Sequence, residues 1–520
     1  MNFNIQPINF NIANVRFKSN SNISQPKGSD LERNPKMDSF EMSIGYVNDA
    51  HGQTNNMMRI LSGIKGDLKL SAGDNDIGDE KNDAIHQATT KFLNIADIKA
   101  SALGNHEIDM SQKDCIDAIN RFNGLMLSIN FEQIPLEEQD PEDIQKYGRA
   151  DLKNHLTKSA IVEVKGQKIG LIGASPIDMM SRLTHPNYYT DCSVDDLDDT
   201  IELIQNEIDK FKEQNINKVI LVSHLGHKAD KFVAENIDGI DVIVGGHTHE
   251  LIKDIKEGEN LLYSKTGEPI IMTEAGRDGN YFGKLNLTFD KNGVITKAQN
   301  NLGETRLFHK NMINQYVFDN ILGVPEKVGY IKQAPPPPKN LAEENPHANF
   351  VCDVMREKTN SDIALWHHSG VRSFFHEGEI DSRDVKEMAP FLDYVVTAQV
   401  SEKTLVDAFK KAVDMIAVSG LNYTVDPEEG ELLAMNFIDK EGKEHKIDVE
   451  NPSEDKMYKV VTDEFLMSAG ADYDILAPEE VYVEKFPYDK DVLTCEYIKE
   501  MNEPVVINQV GRIKFVHEED

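Results

Sequence analysis

Ser43-Ile44-Gly45-Tyr46-Val47-Asn48-Asp49-Ala50-His51-Gly52 is a short apolar run that stops on Asn, Asp and His and turns on glycine. The same order of residue types recurs four times downstream. Lys69-Leu70-Ser71 leads into Gly73-Asp74-Asn75, and Lys99-Ala100-Ser101-Ala102-Leu103 into Gly104-Asn105-His106-Glu107. Lys218-Val219-Ile220-Leu221-Val222 leads into Ser223-His224-Leu225-Gly226, and Asp241-Val242-Ile243-Val244 into Gly245-Gly246-His247-Thr248-His249. β-Branched runs bounded by Gly and Asp fit strands buried on both faces. Polar helical stretches fall between them; Val194 to Gln214 reads as one, with Ser193 placed to cap it. Ile161 to Ile172 and Leu285 to Ile295 read as hairpins turning at Lys165-Gly166-Gln167 and Asp290-Lys291-Asn292-Gly293. The pattern predicts a layered α/β fold with mixed sheets.

In an open α/β sheet, ligands collect outside the carboxyl ends of the strands, so five motifs in equivalent positions converge on one patch. Carboxylate and imidazole groups without thiolate suit Mn, Zn or Fe. Asp49, His51, Asp74, Asn105, His224, His247 and His249 exceed what one tetrahedral ion uses. They suffice for two divalent metal ions (Mn, Zn or similar) sharing a bridging Asp. Asp-x-His and His-x-His put two ligands on one side of an extended segment, and the adjacent glycines permit close approach. Two ions about 3.5–4 Å apart deprotonate a bridging water and clamp phosphate oxygens for in-line attack. His106 follows the ligand Asn105, and Asp109 lies three residues on, so the pair reads as a catalytic dyad in which Asp109 fixes the imidazole tautomer. Singly, each Asp or Asn also reads as a helix cap. Histidines are poor caps, and the ordered set of five motifs is not explained that way.

Composition narrows the partners. The chain has 520 residues, 39% hydrophobic and 28% charged, which leaves room for two to four soluble domains. A net charge of −34 disfavours nucleic-acid polymers and acidic lipid surfaces, so a small anionic substrate needs local cations. Cys115, Cys192, Cys352 and Cys495 are scattered without a CxxC pair, which favours free thiols in a reducing compartment. No apolar run behind a positive start marks a signal peptide, and none is long enough to span a bilayer. Residues 1–40 are expected to be a disordered leader, and the protein to be cytoplasmic. Residues 41–305 form the first expected domain. Pro335-Pro336-Pro337-Pro338 places a linker at 306–340, with a second α/β domain at 341–516.

The five motifs resemble those of the calcineurin-like metallophosphoesterases. The resemblance implies a four-layer α/β/β/α sandwich with a dinuclear site, Asp49, His51, Asp74 and His249 on one ion, and Asp74, Asn105, His224 and His247 on the other. In the second half, Asn349-Phe350-Val351-Cys352-Asp353, Ser361-Asp362-Ile363-Ala364-Leu365, Gly370-Val371-Arg372, Gly378-Glu379-Ile380, Pro390-Phe391 and Thr462-Asp463-Glu464-Phe465-Leu466 resemble the 5′-nucleotidase C-terminal domain. That implies a smaller substrate-specificity domain rotating over the metal site, with Arg372 binding substrate and Phe391 and Phe465 sandwiching a base. A guanidinium fork suits phosphate or ribose oxygens, and facing aromatic rings suit a flat heterocycle. Taken alone, Phe391 and Phe465 read as core residues. Two positions depart from the family pattern: His367 stands where a base-contacting Asn is usual, and Ala471 where an Asp holds the ribose, unless Asp472 covers it. The expected activity is hydrolysis of phosphate monoesters, nucleoside monophosphates foremost. The rival readings are a broader esterase for 2′,3′-cyclic nucleotides, UDP-sugars or non-nucleotide phosphates, and a non-catalytic scaffold. The expected partner is a small phosphate ester, with no nucleic-acid polymer and no membrane; the oligomeric state is left open.

Overall fold

The computed structural model describes residues 15–16, 39–77, 82–183, 186–338, 343–411, 416–426, 429–467, 483–501 and 503–516. Apart from residues 15–16 and 39–40, the expected leader lies outside them. The chain divides into two units, residues 1–323 and 324–520.

In the first unit, the run that ends at Asp49 is the strand Phe40–Val47, central in a seven-stranded sheet. Leu68–Ser71, Ala100–Ala102 and Leu125–Leu127 follow on one side, each parallel to its neighbour. The hairpin Tyr281–Phe289 and Ile295–Glu304 lies antiparallel on the other side. The second sheet has six strands in the order Leu261–Tyr263, Pro269–Thr273, Val242–Val244, Val219–Ser223, Gln167–Ala174, Ser159–Val164. Its centre is parallel and its edges antiparallel.

The continuous apolar runs follow from what covers each face. Ile220, Val222, Val242 and Val244 point into a core shared with Ile44, Leu70 and Ala102 of the first sheet. Their neighbours Val219, Leu221 and Ile243 point the other way, onto Ile204, Ile208 and Val233. Those last three belong to the helices Leu197–Glu213 and His227–Asn236. On the far side of the first sheet, Met57, Phe92 and Phe318 come from the helices Thr54–Gly63, Asp83–Ala96 and Met312–Leu322. Helix, sheet, sheet and helix therefore stack as four layers, with strand side chains alternating between two cores.

Two expectations shift. The helix at Val194 to Gln214 starts later, at Leu197, and its cap is Asp196, whose side chain accepts from Asp199 N, rather than Ser193. Cys192–Val194 is instead a short strand paired antiparallel with Phe131–Gln133, so the chain turns only after it. The stretch 306–340 is not a spacer either. Its first half is the helix Met312–Leu322 of the first unit, with Phe318 fully buried. Its second half is the strand Lys327–Gln333, which pairs with Gly378–Asp381 and Val505–Val506. The division falls at Gly323/Val324 because hydrogen bonding of the second unit begins upstream of the prolines.

The second unit is built on a five-stranded sheet in the order Ile416–Ser419, Ile363–His367, Met457–Asp463, Tyr394–Ser401, Val483–Asp489. One face packs on the helices Pro346–Lys358 and Lys490–Glu500, the other on Glu402–Lys411 and on strands that include Leu421–Asp426 and Glu431–Ile438. Among the described residues no helix is long and apolar enough to cross a membrane.

Candidate metal centre and phosphoesterase site

The loops at the carboxyl ends of five parallel strands, drawn from both sheets of the first unit, bring the seven expected ligands together. His224 Nε2 lies 3.0 Å from Asp74 Oδ2, and His249 Nε2 3.4 Å from Asp49 Oδ1. His51 Nε2 stands between the two carboxylates, 3.9 Å from Asp49 Oδ1 and 3.7 Å from Asp74 Oδ2. The imidazoles pair edge to face, His51 with His249 at 5.1 Å and His224 with His247 at 5.0 Å between centroids. Asp49, His51 and His249 form one group whose ligand atoms lie within 4.8 Å of one another; Asp74, His224 and His247 form another.

The fit to divalent cations rests on the atoms present. Asn105 Oδ1 is buried without a hydrogen-bond partner, and an uncompensated buried carbonyl oxygen is unfavourable unless something else occupies it. The remaining donors are imidazole nitrogens and carboxylate oxygens, the set that hard-to-borderline ions take. The backbone is also strained here. Ten non-glycine residues have positive φ among those described, and five of them are Asp49, His51, Asp74, His247 and His249. Such conformations persist only where surrounding structure enforces them, and they cluster at functional sites. Two glycines make room for the ligands. A Cβ on Gly104 would overlap Asp74 Oδ1, and one on Gly246 would press to 2.9 Å from Asp49 Oδ2.

Electrostatically, the cluster is self-neutralising. Burial by itself would raise the Asp74 carboxyl, but His224 and then His106 outweigh it and hold it well below the usual range. Burial would lower His224, yet Asp74, Asp49 and Glu107 push it up to about 10.

His106 stands beside this cluster. Its ring meets His51 edge to face at 5.2 Å, and its backbone N–H donates to Asp74 Oδ1. Its Nδ1 lies 2.8 Å from Oδ2 of the buried Asp109, so the expected dyad is assembled.

Sequence reasoning passed over three acids around the ligands. Glu107 accepts the backbone N–H groups of Asp74, Asn75 and Gly104 at 2.8–2.9 Å, tying two ligand loops together. Burial, then Asp74, raises its carboxyl to about 7. Asp278 meets His51 Nδ1 at 3.1 Å, and Asp178 meets His247 Nε2 at 3.2 Å. A signal for Asp278 exists, since it follows the buried strand Pro269–Thr273, parallel neighbour of Val242–Val244. Asp178 carries the same signal, following the buried strand Gln167–Ala174, parallel neighbour of Val219–Ser223.

Residues 42–251 match the family described as calcineurin-like phosphoesterase, and residues 327–478 match the 5′-nucleotidase C-terminal domain. The chain belongs to the 5′-nucleotidase family of calcineurin-like phosphoesterases. This phosphate-ester hydrolase is 23% identical to the trifunctional nucleotide phosphoesterase protein YfkN of Bacillus subtilis over 98% of its own length, while spanning 36% of that relative. It is 27% identical to the 5′-nucleotidase of Diplobatis ommata, covering 82% of this chain and 77% of that one. The crystal structure of a 5′-nucleotidase precursor from Thermus thermophilus shares the fold, with a TM-score of 0.69 and 21% identity over 92% of this chain and 100% of that one. Calcineurin-like phosphoesterases use divalent metals, and the two ligand groups are the candidate sites in this phosphoesterase.

In its second unit the expected substrate residues form two pairs. The Arg372 guanidinium carbon lies 5.3 Å from the Phe391 ring centre. The His367 ring lies 5.0 Å from that of Phe465, tilted by 39°. Burial lowers the His367 imidazole to about 4, against the opposing pull of Asp463, so the ring is neutral near pH 7. Ala471 and Asp472 lie outside the described residues.

Proposed function

We propose that this hydrolase cleaves phosphate monoesters, nucleoside monophosphates foremost, with two divalent ions such as Mn or Zn. Asp49, His51, Asp74 and His249 would hold one ion, and Asp74, Asn105, His224 and His247 the other, with Asp74 common to both. The observation that carries this reading is the meeting of two N/O ligand groups beside a His–Asp dyad. When bound, the ions supply Lewis acidity at phosphate oxygens and activate water at neutral pH. The chain's own residues do the rest. Asp109 accepts a hydrogen bond from His106 Nδ1–H and its charge favours the imidazolium, so Nε2 would present a proton and a positive charge towards the leaving oxygen. Arg372 offers its guanidinium fork to substrate oxygens, and Phe391 and Phe465 offer ring faces.

The test is turnover by the Mn-loaded protein on AMP, 2′,3′-cyclic AMP, UDP-glucose and sugar phosphates. AMP should be the best substrate; hydrolysis of none of them would sink the proposal. Asp74→Asn should abolish turnover while the fold is kept, and near-normal activity in that variant would refute the ligand assignment. A second reading, a broader phosphoesterase, is supported by His367, which packs against Phe465 where the family pattern has Asn. A site built around a particular polar contact loses discrimination when that contact changes. Rates for UDP-glucose or sugar phosphates above that for AMP would favour it.

A further inference from the structure

Three histidines of the ligand cluster, His51, His224 and His247, each meet a different outer partner through one ring nitrogen. His224 Nδ1 meets the main-chain carbonyl of Ala72. His247 Nε2 meets Asp178, whose side chain is 40% exposed and paired with the exposed Arg182. His51 Nδ1 meets Asp278, whose side chain is only 3% exposed. Asp278 lies outside all five motifs, 227 residues from His51 in sequence.

Every part of Asp278 is fixed. Oδ1 takes the His51 contact at 3.1 Å, and Oδ2 accepts from Arg277 Nε. Its backbone N–H donates to the Asp49 carbonyl at 2.6 Å, and its own carbonyl accepts from Asn56 Nδ2 at 2.9 Å. Its φ of 58° is a conformation that non-glycine residues rarely adopt and that packed surroundings must enforce. The residue is thus anchored to the main chain of one expected ligand and to the side chain of another.

We infer that Asp278 is a positioning residue that fixes the tautomer and orientation of His51 and so sets the affinity of the ion at the Asp49–His51–His249 group. A carboxylate only accepts, so the hydrogen sits on Nδ1 and the Nε2 lone pair faces Asp49 and Asp74. A buried carboxylate behind a ligating imidazole also orients the ring and raises its basicity, and Arg277 Nε holds the other carboxylate oxygen in place. Asp178 has the same chemistry at His247, but water competes for it, so its contribution is weaker. The inference rests on the reading that the two groups hold ions, and it adds an asymmetry that this reading lacks: one ion depends on a buried distant carboxylate, whereas the carboxylate behind the other is open to water.

The experiment is Mn2+ binding by the full metal-free chain, followed by calorimetry and by metal content after dialysis, for the natural protein, Asp278→Asn and Asp178→Asn. Asp278→Asn keeps the side-chain shape and removes the charge. It should weaken one of the two ions by about 10–100-fold and leave the other unchanged. Asp178→Asn should leave both close to the natural affinities. Two ions held by Asp278→Asn as tightly as by the natural protein would overturn the inference while leaving the ligand assignment standing. No Mn2+ bound by the natural protein would overturn both. Should Asp278→Asn not fold, the imidazole nitrogen spectrum of the 15N-histidine-labelled, Zn-loaded natural protein decides, with His51→Asn assigning the signal. Hydrogen on Nδ1 with Nε2 bound to the ion supports the inference, and the reverse tautomer refutes it.

Discussion

His106 sits where two roles compete, because its ring lies within ligand distance of His51 and Asp74 as well as against Asp109. Replacing it separates them. If His106 acts on the leaving group, His106→Asn should reduce kcat by about 10²–10⁴-fold with both ions retained; loss of an ion on metal analysis would make it a ligand instead. His224 gives a second prediction, with its sign fixed by the direction of the shift. In the metal-free protein Asp74, Asp49 and Glu107 overcome burial and hold its imidazolium up to about 10, so it is charged at pH 8. A ligating imidazole must be neutral, hence Mn2+ uptake at pH 8 should release a proton, read as a binding enthalpy that varies with the ionisation enthalpy of the buffer. A buffer-independent enthalpy would contradict this. Linkage runs the opposite way for the metal-free fold. A raised histidine stabilises it fully below the ordinary imidazole range, and that contribution fades as pH rises through about 10. The clustering of the expected ligands and of His106 with Asp109 was legible because Asp, Asn and His directly after buried strands announce their own position. Asp278 and Asp178 also follow buried strands, but each takes its role from a histidine 227 or 69 residues away, and no local pattern records that pairing.

At the scale of elements, strands were read well because burial on both faces leaves an unmistakable run of Val, Ile and Leu, as at Val219–Ser223. Helix limits were read less well. The run from Val194 contains a competing strand pairing, and only the tertiary partner Phe131–Gln133 reveals it. The helix Met312–Leu322 is the instructive case. It carries local signals at both ends: Asn311, whose side chain accepts from Ile313 N, and Gly323 with φ 82°. The four prolines nearby outweighed them as punctuation, although the segment buries Phe318 among Phe92, Phe282 and Phe308. Phe318→Ala should therefore destabilise the first unit by about 3–5 kcal/mol, visible as a fall in its thermal midpoint. A linker residue would show no change, so an unaltered midpoint would return this stretch to the spacer that the sequence suggested. The first of these prolines is tied to the second unit, where the Pro335 carbonyl accepts from Nε2 of the buried His347. Burial lowers that imidazole to about 4. Its neutrality contributes stability above the ordinary imidazole range and loses it as pH falls towards 4. His347→Gln should flatten this acid dependence in a pH series of melting curves, and an unchanged slope would count against it.

For the molecule as a whole, the division at Gly323/Val324 makes a claim that a boundary drawn at the prolines does not. Each side has cores of its own. The two-sheet core and both outer helix layers draw on residues up to 322, whereas Val328 and Ile331 already belong to the core around Trp366 and Phe350. Burial of that kind is the dominant favourable term, so a cut that respects it should leave two folding units, and a cut that crosses it should leave one or none. A fragment of residues 39–323 should unfold cooperatively and bind Mn2+, because all seven expected ligands and the helix bearing Phe318 lie within it. Ending the fragment at residue 305 strips that helix from Met57 and Phe92 and should lower its midpoint sharply or prevent folding. A fragment of residues 324–516 should fold alone, while one starting at 341 lacks the strand Lys327–Gln333 and leaves Gly378–Asp381 and Val505–Val506 without their shared partner. An exposed strand edge of that kind invites association with other chains. Thermal unfolding and limited proteolysis of the four fragments distinguish the alternatives. Were the pair cut at 305 and 341 as stable as the pair cut at 323, the helix and the strand would be ornaments on their units, and the packing that assigns them would carry no energetic weight.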